Sequence, residues 1–376
     1  MAVRAAPTHD RRGRKDLPLT DAMRKHDQDV RNFASDNWAG VHPEVLEALA
    51  LANGGHQPAY GADDYTTGLQ HIVARHFGER ARLYPVCTGT GSNVVALQAV
   101  LPRWGAVITA ESAHVNGDEC GAAEKVGGIK IYPVATPEGK LTPELVDRQA
   151  WGRGNEHRAQ PLAVSITQST ELGTCYSVEE IRALCDHAHE LGMLVHLDGA
   201  RLCNAAAYLG AGLGELTTDA GVDIVSFGGT KNGLMLAESV VVPDADRIRD
   251  IEYLRMSSTQ LASKMRFVSA QFEALLAGDL WRRNAVHANA MAARLAAAAE
   301  RIEGVRITRS VQSNAVFAVL PPEVTERLRK RFAFHIWDES TGEVRWMCAF
   351  DTSPEDVDAF TDALAQEMDS ATAQGR

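Results

Sequence analysis

The octet Ser226-Phe227-Gly228-Gly229-Thr230-Lys231-Asn232-Gly233 places a lysine directly after an apolar run, with two glycines before it. In α/β sheets ligands sit at the carboxyl ends of strands, so a lysine freed by glycines there points into the ligand crevice. A buried lysine amine is a Schiff-base nucleophile, whereas a solvated one is only a loop cation; the octet alone fits both. One candidate strand earlier, His196-Leu197-Asp198-Gly199-Ala200-Arg201 brings a carboxylate to a strand end that can reach the same crevice. Pyridoxal phosphate needs such a group, because an anion beside the pyridine nitrogen holds its proton on and makes the ring a better electron sink. A helix N-cap or an ion-pair partner of Arg201 is an equally open role for Asp198.

Two further stretches add to these. Thr88-Gly89-Thr90-Gly91-Ser92-Asn93 runs into the apolar helix Val94 to Val100, and small residues let backbone N–H groups at a helix N-terminus approach a phosphate. It has neither the Lys-[Ser/Thr] of a P-loop nor GxGxxG spacing, so nucleotide binding is not specifically supported. His114, in Glu111-Ser112-Ala113-His114-Val115-Asn116, follows another candidate strand, where an imidazole can lie on a cofactor ring or serve only the structure.

Positioning such groups needs a sheet. From about Asn32, short apolar runs alternate with longer amphipathic ones, the sign of βα units and a mostly parallel sheet. The expected strands are 106–109, 129–134, 162–167, 193–197, 223–227 and 239–242. Helices are expected over 177–191, where Ser177 and Glu180 make a capping box and Gly192 a stop, and from Pro43 to about Gly54. After Lys231 the alternation fades. A long Ala-rich helix over 280–302 leads to strands 305–308, 315–320 and 344–350, with a helix near 323–331 and a last one from Pro354, the texture of a small α+β domain.

With 45% hydrophobic and 23% charged residues, the 376-residue chain has the make-up of a soluble globular protein. A net charge of −11 without a basic stripe argues against nucleic acid and for a small-molecule partner. The apolar stretches fall short of the ~20 residues that cross a bilayer, so no membrane is expected. The six cysteines form no C-x-x-C pair, which speaks against a metal site or a disulfide framework and for a reducing cytoplasm. Residues 1–32, basic and without an apolar core, are expected to be a flexible arm rather than a signal peptide.

Taken in this order, the four stretches resemble the L-threonine aldolases of the aminotransferase-like pyridoxal-phosphate enzymes, their bacterial low-specificity branch in particular. The likeness runs from about Asn32 to Phe360. It includes Phe33-Ala34-Ser35-Asp36-Asn37, Ala59-Tyr60-Gly61, Thr167-Gln168, Leu261-Ala262-Ser263-Lys264-Met265-Arg266, Ser313-Asn314-Ala315-Val316-Phe317 and Arg345-Trp346-Met347-Cys348. Where the family's more widespread branch has Ser-Asp-Thr and Ser-Gly-Thr, this chain has Ser35-Asp36-Asn37 and Thr88-Gly89-Thr90.

The resemblance implies fold type I of the pyridoxal-phosphate transferases, an α/β fold. Its large domain, 33–278, would carry a mostly parallel seven-stranded sheet, and its small C-terminal α+β domain would be 279–376, with 33–55 packing beside the latter. It implies that Lys231 holds pyridoxal 5'-phosphate as a Schiff base, that Asp198 faces the pyridine nitrogen, and that Arg201 lies beside the phenolic oxygen. Gly89, Thr90 and Gly91 would hold the phosphate, and His114 would stack on the ring. Ser35 and Arg345 would bind the substrate carboxylate, for which a guanidinium fork is suited. Asn155-Glu156-His157 matches the stretch offering a second histidine, so His157 or His114, directly or through water, would take the β-hydroxyl proton. The implied reaction is retro-aldol cleavage of L-threonine, L-allo-threonine and related β-hydroxy-α-amino acids to glycine and an aldehyde, in a cytoplasmic homo-oligomer, usually a tetramer with sites shared between subunits. Its rivals are a β-eliminating lyase on the same fold, which would need an acid for its leaving group, and a non-catalytic binding module, which would not need Lys231, Asp198 and His114 together.

Overall fold

The computed structural model describes residues 25–374. Most of the expected arm, residues 1–24, lies outside the described residues. Residues 25–31 make a turn of their own, in which the Asp27 carboxylate accepts the Asp29 amide and Arg31 donates to the Gln28 carbonyl. A compact unit begins at Asn32.

Seven strands form its main sheet: β1 (Arg82–Val86), β2 (Gly105–Ala110), β3 (Lys130–Val134), β4 (Gln160–Thr167), β5 (Leu194–Gly199), β6 (Ile224–Gly228) and β7 (Glu238–Val242). Their order is β1-β7-β6-β5-β4-β2-β3, with β2 to β6 parallel and β7 antiparallel to both neighbours. The six expected strands are present with ends shifted by at most two residues. Strands β2 and β6 are buried throughout, as strands covered by helices on both faces must be, which is why they read as unbroken apolar runs. β1 went unforeseen because Pro85 argues against a strand; at the sheet edge, a missing ladder N–H is tolerated.

Between β4 and β2 the strand order reverses, since β4, β5 and β6 step one way and β2 and β3 the other. A crevice opens there at the carboxyl ends. His196, fully buried in β5, hydrogen-bonds Ser165 of β4 at 2.9 Å and Ser226 of β6 at 3.0 Å, and burial pulls its pKa down to about 4. The neutral ring staples three strands just below the crevice.

The helix Val178–Glu190 has the expected capping box, Ser177 accepting the Glu180 amide while Glu180 accepts that of Ser177, and Gly192 beyond it takes φ +66°. A helix over Asp64–Phe77, capped by Asp63, was not expected; Thr66, Thr67 and Gly68 weaken its signature.

A second sheet, all antiparallel, has the order β10-β11-β9-β8, with β8 Arg306–Ile307, β9 Ala315–Val319, β10 His335–Asp338 and β11 Glu343–Met347. β10, an edge strand with little burial, had no apolar run to announce it. The helix Leu280–Ala299 serves both halves: Trp281 and Ala285 belong to the core under the large sheet, Ala292, Leu295 and Ala299 to that under the small one. Phe33 also belongs to the second core, whereas Val45, on the helix Pro43–Ala52, belongs to the first. Phe360 sits at the centre of the second core, its ring 4.6 Å from Phe33, 5.1 Å from Trp346 and 5.2 Å from Phe332. Phe360→Ala is expected to destabilise the protein by about 3–5 kcal/mol, read as a lower denaturant midpoint at unchanged slope.

Candidate active site

Residues from five segments meet at the carboxyl ends of β2, β4, β5 and β6. Asp198, next to last in β5, is 7% exposed. Its Oδ2 accepts from Asn93 Nδ2 at 2.9 Å and its Oδ1 from the Ala200 amide at 3.1 Å. The alternative roles fall away here. The helix Leu202–Leu209 has Arg201 at its N-cap, without a side-chain cap, and Arg201 pairs with Asp36 instead.

Lys231 lies in the single turn Thr230–Asn232 after β6. The approach is close: a Cβ on Gly228 would stand 2.8 Å from the Ala200 backbone, and one on Gly229 2.8 Å from the Ala237 carbonyl. Asn232 donates to the Trp281 carbonyl and accepts from Asn284, which pins the turn from below. Among the described residues the Lys231 amine makes no hydrogen bond or ion pair, and burial, aided by the Arg201 charge, holds its pKa below the usual lysine range. That is a nucleophile's setting, not a solvated cation's.

The helix expected from Val94 begins five residues earlier, at Gly89, and this moves the phosphate-type site onto its first turn. The amides of Gly89 and Thr90 are first-turn donors without intrahelical partners, and both residues line the cavity. Gly91 is a correction. Its amide is taken by Thr88 Oγ1 at 3.0 Å, and it does not line the cavity; a Cβ there would stand 2.1 Å from Gln260, whose Oε1 accepts the Cys87 and Thr88 amides. Gly91 is needed for packing under Gln260.

His114 opens the short helix His114–Gly117. Its Nδ1 is 2.9 Å from Glu119 Oε1, which also accepts from Asn93 Nδ2 at 2.8 Å. Asn93 thus spends both amide hydrogens on carboxylates and joins His114 to Asp198 through Glu119. The Glu119 hydrogen bond raises the His114 pKa above its ordinary 6.5 against the effect of burial.

Arg201 grips Asp36 with two bonds, Nε to Oδ2 at 2.7 Å and Nη2 to Oδ1 at 2.8 Å, and Asn314 adds a third at 3.0 Å. Burial alone would push the Asp36 carboxyl up; Arg201 outweighs it and holds the pKa below the carboxylate range. Ser35 and Arg345 both line a second, wider cavity of about 570 Å³, while Lys231, Asp198 and Gly89 line an inner one of about 60 Å³. Arg345, on β11, lies 5.0 Å over the Trp337 ring with a buried Nε that has no partner, and burial pushes its pKa down to about 10. A guanidinium left so unsatisfied suits a ligand carboxylate.

His157 is the second correction. It stands exposed in the loop before β4, whose first residue Gln160 bonds Trp104 at the amino end of the sheet. The eight residues of β4, at roughly 3.3 Å each, separate it from the crevice within one chain. Chain order already carried this, since a loop that precedes a parallel strand lies at its amino end, opposite the crevice.

Glu119, Asn93, Glu171 and Trp337 were not singled out beforehand. A buried polar side chain in an apolar helix start was a usable signal for Asn93; the others come from loops and an edge strand that only tertiary packing brings in.

The sequence profile of the beta-eliminating lyases matches residues 32–321. A low specificity L-threonine aldolase of Pseudomonas aeruginosa is 40% identical over 330 residues, covering 87% of this chain and 95% of that protein. One from a Pseudomonas sp. is 39% identical over 324 residues, 86% of this chain and 93% of the relative. Among solved structures, threonine aldolase of Leishmania major superposes with a TM-score of 0.84 at 26% identity, over 89% of this chain and 99% of the other.

The Glu119–His114 bond can be checked on its own. In Glu119→Gln the His114 imidazole loses its anionic partner, so its NMR titration midpoint should fall from above 6.5 toward or below that value.

Proposed function

The chain belongs to the beta-eliminating lyase family, and on that premise we propose that it is a pyridoxal-phosphate enzyme cleaving L-threonine, L-allo-threonine and related β-hydroxy-α-amino acids to glycine and an aldehyde. The observation that carries this is the Lys231 amine, lining one cavity with Asp198 and, among the described residues, without a hydrogen bond or ion pair. The residues present fit the cofactor. Lys231 would bind it through the amine, Asp198 would hold a proton on the pyridine nitrogen, and the Gly89 and Thr90 amides would take the phosphate at a helix N-terminus. His114 would lie against the ring and Arg201 beside its phenolic oxygen. When bound, the cofactor supplies an electron sink for a bond broken at Cα.

The chain's own part is to bind and orient. Arg345 and Ser35 would fix the substrate carboxylate, and so set which bond at Cα stands in line for cleavage. The wall carrying His114 is where the β-oxygen has to be met. We further propose that 33–278 and 279–376 divide as cofactor-holding and C-terminal parts, a reading supported by the two cores. A homotetramer with shared sites fits the apolar side chains left exposed at Trp38, Leu51, Tyr60, Tyr253 and Met256. A cytoplasmic setting is supported by six cysteines without a disulfide. Among the described residues no helix is long and apolar enough to cross a membrane.

Purified protein given L-threonine or L-allo-threonine should release glycine and the aldehyde, and absence of both would overturn the reading. Lys231→Ala should lose the yellow colour of lysine-bound cofactor. Arg345→Ala should raise KM and, because the contact also sets the angle of the scissile bond, lower kcat; steady-state kinetics on L-allo-threonine separate the two effects.

A further inference from the structure

Four residues line both cavities: His114, Glu171, Arg201 and Lys231. They stand at the junction where a cofactor held in the inner cavity would meet a substrate held in the outer one. Arg201 is committed to Asp36 by two bonds, and Lys231 is the anchoring amine. His114 has its Nδ1 engaged by Glu119 at 2.9 Å, a bond that raises the imidazole pKa above its ordinary 6.5 against the effect of burial. Glu171 differs. Its Oε1 accepts the His114 backbone N–H at 2.8 Å, while its Oε2 is shielded from solvent and has no hydrogen-bond partner. Thr167 also hydrogen-bonds this carboxylate, which is buried in the wall between the two cavities, so that it can take up a proton there.

Resting on the aldolase reading, we propose that Glu171 is the catalytic base that takes the β-hydroxyl proton. The hydroxyl O–H bond breaks and its proton passes to Glu171 Oε2. The electron pair left on oxygen forms the aldehyde C=O, and the Cα–Cβ bond breaks with its pair remaining on the glycine fragment. The same proton, returned to Cα, balances the reaction. His114 holds the β-oxygen as a donor.

The surroundings suit the task. Burial raises the Glu171 pKa to about 7, with the nearby Asp198 charge adding to it and the His114 amide opposing it. A base is most useful when its pKa lies near the working pH. The charged and titratable groups sharing its cavities are His114, Glu119, Asp198, Arg201, Lys231 and Glu238 on the inner side and Glu111, Asp118, His335 and Arg345 on the outer, with the Tyr176 phenol, whose pKa burial raises far above the usual range, on its own loop.

The test uses the holoenzyme and two variants. Glu171→Gln can still accept the His114 amide, so the loop should hold while the base is lost; Glu171→Asp keeps a carboxylate on a shorter arm. Wild-type kcat for L-allo-threonine should rise with pH through about 7 as the carboxyl ionises. In Glu171→Gln this limb should vanish and kcat fall by about 10²-fold or more, with Glu171→Asp between the two, while glycine affinity and the cofactor's absorption stay as in wild type. Independently of turnover, difference infrared spectra of the wild type should show a carboxylic-acid C=O band titrating near neutrality and absent from Glu171→Gln. A wild type that releases glycine, beside a Glu171→Gln protein with kcat within about twofold and an unchanged pH limb, would overturn this proposal alone. A wild type without such a titrating band would do the same, and one that cleaves neither threonine would overturn the aldolase reading with it.

Discussion

The buried pair of Arg201 and Asp36 is what the rest of the site leans on. It joins the start of the compact unit to the end of β5, and Asn314, just before β9, closes on the same carboxylate. A buried ion pair is poor evidence for stability, because desolvation offsets much of the attraction, but breaking one by removing a partner costs about 3–5 kcal/mol. Its use here is arrangement. With Arg201 held away from Asp198, that carboxylate faces the cavity, and the guanidinium charge beside Lys231 helps keep the amine's pKa low.

The parallel core of the fold was legible because strands buried on both faces carry their own signature; the lysine follows such a strand and the aspartate ends one, whereas the glycine turn follows β1, the edge strand that went unforeseen. The capping box of the helix Val178–Glu190 was legible for the same reason, being a local arrangement with a local sequence sign. What stayed hidden was tertiary. Glu171 lies on a loop whose polar run, Gln168 to Glu171, looks like any connection, and only the fold turns it back under His114. Gly91 misled because two glycines flank Thr90, yet the helix geometry spends one amide on its own cap. His157 misled because a matching motif was weighed without its chain order, which puts a loop before a parallel strand at the amino end of the sheet within one chain.

Four carboxylates line the inner cavity, and besides Glu171 the other three are each handled differently. Asp198 is held by an amide side chain and a backbone N–H, Glu119 accepts from Asn93 and lies 2.9 Å from His114 Nδ1, and Glu238 accepts the Gly229 amide at 3.2 Å while burial raises its pKa.

The helix Leu280–Ala299 has a mechanical meaning beyond packing. Its twenty residues, about 30 Å at 1.5 Å each, are rooted at one end under the large sheet and at the other under the small one. A rotation of one sheet against the other would have to bend this beam or draw Ala292 and Ala299 out of close contact. The protein therefore resists flexing along the line that separates Ser35 and Arg345 from Lys231, and the distance between carboxylate grip and anchoring amine is a dimension fixed by a stiff strut.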